Sequence, residues 1–250
     1  MLSPGTRLAF GAAVTVALVV LLPHAGAQAR ARAGCRPQKP QPFLMRGHYV
    51  RNGMLDAKAH ARAVQYRVEN YGSIPGIGST ESNPKRVSSQ VVSMRFFGLP
   101  IVMHEKVAPA LACVEHRIRQ RCSDSDSYYR PRAIGGLRTE NTIRQGELSN
   151  HLFGIAIDID PNRNPCCHCV AKWQTHKKCR VPSSSPYDRA DLPRCWISAF
   201  EHFGFYWLGN DRLEDTMHFE FLGKPLDERI ASRRLQQTAI SSEPGTTSEP

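Results

Sequence analysis

The segment SNHLFGIAIDID, residues 149–160, contains an alternating pattern that predicts a β-strand. From Gly154 onward, three isoleucines point to one face of this strand, while glycine, alanine and two aspartates point to the other. The small side chains leave open space above the carboxylate of Asp158. Because burying an unpaired carboxylate is costly, Asp158 needs a partner, and His151 is the nearest candidate along the chain.

The segment DTMHFEF, residues 215–221, predicts a second strand with the same division into two faces. Its apolar residues alternate with His218 and Glu220, which therefore share a face. Two histidines and one carboxylate form the ligand set of a catalytic zinc ion, which takes three protein ligands and keeps a fourth position for water. We therefore predict that His151, Asp158 and His218 bind one catalytic Zn²⁺ and that the protein is a hydrolase.

Two further residues are expected to take part in the chemistry. Asp215 lies three residues before His218, where a carboxylate can accept the proton of the attacking water without binding the metal. Arg138 would supply a fixed positive charge for an oxyanion or for a substrate carboxylate. Taken singly, each histidine could be an ordinary loop or strand residue, and Asp158 could be a turn or capping residue. Their joint placement on polar faces favours the metal site.

Together these motifs resemble a family of zinc peptidases. The pattern S-x-H-x-x-G-x-A-x-D over residues 149–158, followed by D-x-x-H over residues 215–218, is similar to that of D-alanyl-D-alanine carboxypeptidases, D-Ala-D-Ala dipeptidases and L-alanyl-D-glutamate endolysins. The likeness extends over residues 91–222. It implies an α+β fold, shared with the hedgehog signalling domain, in which a small antiparallel sheet carries the metal site and helices flank it.

By this resemblance, three residues are zinc ligands: His151, Asp158 and His218. Asp215 takes the position of the catalytic base. Many carboxypeptidases have glutamate at this position, so the aspartate is closer to the endolysin branch. Ser149 is expected to contact the substrate, and Glu220 is expected to support the metal ligands from behind.

Arg138 lies in the sequence GLRT, residues 136–139, which is similar to a Gly-aromatic-Arg-Ser turn of the family. In that turn the arginine meets the substrate or its transition state. The resemblance therefore implies a catalytic and substrate-binding role for Arg138. Leu137 departs from the aromatic residue of the family pattern.

The N-terminus predicts export. Arg7 precedes an apolar run over residues 8–22, and the sequence AGA at residues 25–27 fits a signal peptidase site, so residues 1–27 are predicted to be a removed signal peptide. The run is shorter than the roughly 20 apolar residues of a membrane span. No later segment approaches that length, so no integral membrane segment is expected in the mature chain.

The sequence AGC at residues 33–35 is similar to the end of a bacterial lipoprotein processing site. Arg32 stands where that site has an aliphatic residue, and the apolar run ends well before it. A lipoprotein is therefore the less favoured alternative to an ordinary secreted protein. In either case the expected location is periplasmic or extracellular.

The amino-acid composition divides the rest of the chain into an N-terminal arm, one domain and a C-terminal tail. Residues 28–53 are rich in Arg, Pro and Gln without a hydrophobic period and predict an extended basic arm. Residues 54–230 are assigned to the zinc peptidase domain, with a Cys-rich insertion at 162–193. Residues 231–250 predict a disordered tail, because they offer few apolar side chains to bury. Helical patterns within the domain cover residues 55–71, 107–118 and 196–203.

An even number of cysteines in an exported chain predicts disulfides. The candidates are Cys35, Cys113, Cys122, Cys166, Cys167, Cys169, Cys179 and Cys195. Many pairings are open, and Cys113 with Cys122 is predicted as a local bridge because the two lie close together across a helix end. The Cys/His cluster at residues 166–179 could instead bind a second, structural zinc ion, although the compartment favours disulfides.

The net charge of +11 indicates a surface that attracts anions, such as an acidic polymer of the cell envelope. Nucleic acid is not an expected partner, since the chain carries an export signal and lacks the usual nucleic-acid-binding motifs. The resemblance implies peptidoglycan stem peptides as the substrate, and a monomer is favoured.

The predicted function is that of an exported zinc metallopeptidase acting on peptidoglycan, either as a D-Ala-D-Ala carboxypeptidase or as an L-Ala-D-Glu-type endopeptidase. The alternative is a non-catalytic zinc-containing module that binds the cell wall, which the hedgehog relationship permits. The presence of both Asp215 and Arg138 favours the enzyme.

Overall fold

Short antiparallel strands and helices alternate along the part of the chain that the computed structural model describes, residues 35–77, 81–122, 129–142 and 146–226. The helices are α1 (Arg46–Tyr49), α2 (Ala57–Tyr71), α3 (Ala108–Arg121), α4 (Ala171–Gln174), α5 (Lys177–Arg180) and α6 (Arg194–His202). The strands are β1 (Val50–Arg51), β2 (Met54–Leu55), β3 (Val91–Phe96), β4 (Leu99–His104), β5 (Ile134–Gly135), β6 (Ala156–Ile159), β7 (Phe205–Trp207) and β8 (His218–Phe221). The predicted signal peptide (1–27) and the predicted tail (231–250) lie outside these residues.

The two predicted strands are neighbours at the centre of a four-stranded antiparallel sheet with the order β5, β6, β8, β7. In the register of β6 and β8, Asp158 is the partner of His218 and Ala156 is the partner of Glu220. Paired residues of an antiparallel sheet point to the same face. The sheet therefore brings Asp158 and His218 side by side, and the predicted α+β fold class is confirmed.

The opposite face of this sheet packs against α6. Ile157 and Phe219 are fully buried there, and the ring of Phe219 stacks on that of Phe200 with 4.1 Å between the ring centroids. Burying a side chain of this size stabilises the fold by about 1.5–3 kcal/mol. Hydrophobic burial on one face thus fixes the strand pair that carries polar groups on the other.

The predicted helices form with small changes at their ends. Helix α2 begins after Asp56, whose carboxylate caps it by accepting a hydrogen bond of 3.0 Å from the amide of Ala59. Helix α3 has Pro109 in its first turn, where a missing amide hydrogen is tolerated. Helix α6 begins at Arg194, two residues earlier than predicted. Among the described residues, no helix is both long and apolar enough to cross a membrane.

The segment predicted as an extended basic arm, residues 28–53, is described from residue 35 onward. There it forms a 3-10 helix (Pro42–Leu44), α1 and the short hairpin of β1 and β2. Leu44 and Tyr49 are buried in a small cluster with Ala63 of α2. These apolar side chains follow no simple period, but they give the segment a surface that it buries against the domain.

All eight cysteines are paired in disulfides, as predicted. The pairs are Cys35 with Cys113, Cys122 with Cys195, Cys166 with Cys169, and Cys167 with Cys179. The predicted local bridge between Cys113 and Cys122 is wrong, because Cys113 lies within α3 and Cys122 directly follows the last residue of that helix. A helical rise of about 1.5 Å per residue separates their Cα atoms by roughly 13 Å, whereas a disulfide requires less than about 7 Å.

Candidate active site

His151 is oriented by the turn that precedes β6. A 3-10 helix (Asn150–Phe153) ends at Gly154, whose φ of +65° favours glycine. A Cβ atom at Gly154 would also lie 3.0 Å from the backbone nitrogen of His104. The Nδ1 atom of His151 lies 2.6 Å from the carbonyl oxygen of Gly136. Because that oxygen can only accept, Nδ1 donates the proton and the lone pair of Nε2 is left free to bind a metal.

Ser149 caps the same 3-10 helix. Its hydroxyl oxygen accepts a hydrogen bond of 3.3 Å from the amide of His151, and the residue is buried. The structure therefore gives Ser149 a contact that holds His151 in place, and shows no accessible hydroxyl for the predicted substrate contact.

The three predicted metal ligands meet at one point of the sheet. The Nδ1 atom of His218 lies 2.9 Å from Oδ1 of Asp158 and 3.2 Å from Nε2 of His151, and the distance from Nε2 of His151 to Oδ1 of Asp158 is 3.2 Å. A zinc ion with tetrahedral bonds of about 2.0–2.2 Å holds its ligand atoms roughly 3.3–3.5 Å apart. Three buried donors therefore form a triangle of nearly the size that a divalent ion requires.

The charges of these ligands suit a cation. Burial lowers the pKa of His151 and keeps this imidazole neutral. Burial opposes ionisation of Asp158, but the two neighbouring histidines outweigh it and hold the pKa of this carboxyl well below its usual range. For His218, contacts with Asp158 and Glu220 outweigh burial and raise the pKa to about 10. The cluster therefore stabilises a positive charge at the position where the three donors meet.

Asp215 lies beside this cluster, on the segment that leads into β8. Its atom Oδ1 is buried and has no hydrogen-bond partner among the described residues. Burial raises the pKa of Asp215 to about 7; His218 opposes this increase, and Asp158 adds to it. A general base works best when its pKa is near the operating pH. The carboxylate is thus suited to accept a proton from water at neutral pH.

The insertion holds Asp215 in place from the other side. Cys166 pairs with Asp215 in an isolated antiparallel bridge, and the amide of Thr216 donates a hydrogen bond of 3.1 Å to the carbonyl oxygen of Pro165. The Sγ atom of Cys169 lies 3.7 Å from Oδ2 of Asp215. Because a disulfide sulfur is not a thiolate, this second group of potential donors is not a metal site in the oxidised protein, and the alternative of a second zinc ion on these cysteines is not supported.

A family model described as D-alanyl-D-alanine carboxypeptidase matches residues 142–221. The match confirms the family resemblance and supports a peptidase. The matched region includes β6, β8 and Asp215, whereas Arg138 lies just before it. No curated protein and no solved structure matches the chain.

Arg138 lies at the exposed edge of the candidate site. Its atom Nη2 donates to Oδ2 of Asp158, its backbone amide donates a hydrogen bond of 3.1 Å to the carbonyl of His151, and its side chain is 36% exposed. The turn before it depends on Gly136, where a Cβ atom would lie 2.3 Å from the carbonyl oxygen of Val102. Arg138 thus contacts the predicted metal ligand Asp158 directly, a contact that sequence reasoning missed.

Sequence reasoning also missed Asn150 and Arg67, which are linked to Glu220 through hydrogen bonds. Asn150 precedes His151 in the opening motif, but an asparagine in a turn is common and carries no specific signal. Arg67 had a detectable signal, because it lies on α2 at the spacing that joins the buried residues Ala63 and Tyr71. A charged residue on the apolar stripe of a helix indicates a buried partner.

Proposed function

We propose that this protein is an exported zinc metallopeptidase that hydrolyses peptide bonds of bacterial peptidoglycan. The observation that carries the proposal is the triangle of three buried donor atoms, with the partnerless oxygen of Asp215 beside it. The fit of two imidazoles and one carboxylate to a tetrahedral ion favours zinc among the divalent metals. The family match supports wall peptides as the substrate class.

Each residue of the site has a task in hydrolysis. His151, Asp158 and His218 would hold the zinc ion, which would supply Lewis-acid chemistry: polarisation of a carbonyl and a lowered pKa of about 7 for water. Asp215 accepts the proton of the attacking water at its carboxylate and can return that proton to the leaving amine. Arg138 offers its remaining N–H donors to the oxyanion that forms on the scissile carbonyl, or to the terminal carboxylate of the substrate.

The disulfides support export. Disulfides form and persist in oxidising compartments, and all eight cysteines of this chain are paired. The predicted signal peptide would direct the chain across the membrane to such a compartment. A periplasmic or extracellular location would bring the enzyme to its proposed substrate.

Digestion of defined wall peptides tests the proposal. Mass spectrometry should show either free D-Ala, the product of a carboxypeptidase, or two peptide fragments, the products of an endopeptidase. The Asp215→Asn variant should lose about 10²–10⁴-fold in rate while it keeps its zinc, because general-base catalysis contributes that much. Asp191→Asn is the matched control, since Asp191 pairs with Lys178 and Arg163 in the insertion, away from the metal ligands.

Two results would contradict the proposal. Zinc-dependent hydrolysis that survives in Asp215→Asn would show that another group is the base. If the zinc-loaded protein released no product from any wall peptide but bound intact wall, it would be the non-catalytic binding module.

A further inference from the structure

The two ring nitrogens of His218 face different partners. Nδ1 faces the other metal ligands, whereas Nε2 lies 3.6 Å from Oε2 of Glu220. Because Nδ1 is the ligand atom, the ring proton of a neutral His218 must be on Nε2. The carboxylate of Glu220 therefore lies close to that proton, at a distance slightly longer than a direct hydrogen bond. Such a carboxylate fixes the orientation of a metal-binding imidazole and strengthens it as a ligand.

Glu220 is itself held by Asn150. The side-chain Nδ2 of Asn150 donates to Oε2 of Glu220, and its Oδ1 accepts a hydrogen bond of 2.6 Å from Nε of Arg67. A guanidinium can only donate, so the oxygen of Asn150 must face Arg67 and its NH₂ group must face Glu220. Arg67 thus determines which end of the amide meets the carboxylate.

Arg67 is anchored deep in the domain. Only 2% of the residue is exposed, and its Nη2 donates a hydrogen bond of 3.1 Å to the carbonyl of Leu44. A buried guanidinium is stable only with compensating negative charge or hydrogen bonds, and Glu220 supplies the charge at the far end of Asn150. The three side chains form a charge-balanced row that runs from α2 to the strand of His218.

We infer that Arg67, Asn150 and Glu220 are positioning residues that hold His218 in the tautomer and orientation that bind the metal. The inference rests on the proposed metal site and deepens it. Arg67 lies outside the region that matches the family model, residues 142–221. The metal site therefore depends on a helix far upstream of that region, to which a continuous row of polar side chains connects it.

Single variants of nearly unchanged shape test two members of the row. In Glu220→Gln, the side chain loses the charge that His218 faces; in Asn150→Asp, a carboxylate is placed against Glu220. Each variant should weaken zinc binding by about 10–100-fold, the usual effect of losing a partner of a metal-binding residue. The zinc dissociation constant is measured by competition with a chelator, and the absorption spectrum of the Co²⁺-loaded protein should shift in both variants.

The double variant Asn150→Asp with Glu220→Gln gives the sharper result. It keeps the net charge and exchanges the amide and the carboxylate within the row. The new carboxylate at position 150 can accept from Arg67 and from the new amide at position 220, whose oxygen can then accept from His218. We expect the double variant to bind zinc at least about threefold more tightly than either single variant, as coupling between contacting residues allows.

Glu147→Gln is the matched control. Glu147 is a buried carboxylate that pairs with Arg46 at 2.8 Å, so its loss should lower Tm and leave zinc affinity unchanged. Wild-type zinc affinity in both single variants, or a double variant that is weaker than both, would overturn the inference while the metal site stands. A wild-type protein that binds no zinc would overturn both the inference and the proposed function.

Discussion

The proposed metal ligands and the proposed catalytic base of this protein are held by different kinds of structure. Asp158 and His218 are paired residues of neighbouring strands, so the register of a regular sheet sets their distance. Asp215 lies on an irregular segment that the disulfide-rich insertion holds through backbone hydrogen bonds, among them one of 3.2 Å from the amide of Cys167 to the carbonyl of Glu214. Metal binding and proton transfer should therefore be separable by mutation.

The largest expected effect, on both zinc content and hydrolysis, comes from changing a proposed metal ligand on the sheet. Asp158→Ala removes a metal ligand and the partner of both His218 and Arg138. Zinc content and hydrolysis should both fall to background, because two imidazoles alone hold zinc poorly. Metal analysis of the purified variant and a peptide digest measure the two losses. A variant that retained stoichiometric zinc would show that the strand pair does not carry the metal.

Changes in the Cys-rich insertion should have the opposite pattern, with reduced catalysis and unchanged zinc affinity. Replacing Cys166 and Cys169 together by serine should lower kcat/KM by about tenfold or more, since small displacements of a catalytic group are costly, while the zinc dissociation constant stays near that of the wild type. The matched control replaces Cys122 and Cys195, whose disulfide joins α3 to α6. That pair should lower Tm without a specific loss in kcat. Loss of zinc in the first variant would show that the two regions are not independent.

The rate should also depend on pH through Asp215. Its carboxylate accepts a proton only when ionised, and its pKa is raised to about 7 by burial. The rate should therefore fall as the pH decreases below about 7, by up to about tenfold per pH unit. A bound cation would lower the pKa of Asp215 and so shift this acidic limb of the pH profile to lower pH. A pH profile of kcat/KM for the zinc enzyme measures it. The residual activity of Asp215→Asn should lack this limb, and a limb that persisted there would belong to another group.

Zinc binding should release a proton from His218. In the metal-free protein His218 is protonated at pH 8, because Asp158 and Glu220 raise its pKa to about 10. A metal displaces this proton, so binding at pH 8 should release about one proton per ion. Calorimetry in two buffers with different ionisation enthalpies measures the number. A value near zero would contradict the assignment of the proton to His218.

The smallest effect is expected at the cap before β6. Ser149→Ala should lower stability by about 0.5–2 kcal/mol, the usual range for losing a helix cap, and leave KM unchanged. Thermal unfolding and steady-state kinetics with a wall peptide distinguish the roles. A raised KM at unchanged Tm would restore the substrate contact that the sequence motif suggested.

The face pattern of two strands was enough to predict which polar side chains lie side by side, because alternation decides which side chains share a face of a sheet. Asp158 and His218 follow from that rule. The partners of Cys113 and Cys122 do not, since a disulfide depends on how distant elements pack. The contacts of Asp215 with the insertion also escaped prediction, because they depend on how distant segments pack and several of them join backbone atoms, which carry no residue-specific signal.

The disulfide of Cys35 and Cys113 bears on whether this protein can be a lipoprotein. A bacterial lipoprotein carries its lipid on the sulfur of its first cysteine, and a sulfur bonded to Cys113 has no valence left for that thioether. The sulfur of Cys35 therefore cannot carry a lipid and form this disulfide at the same time. A lipidated protein would therefore lack the covalent link between its N-terminal segment and α3. That segment includes Leu44, whose carbonyl accepts a hydrogen bond from Arg67.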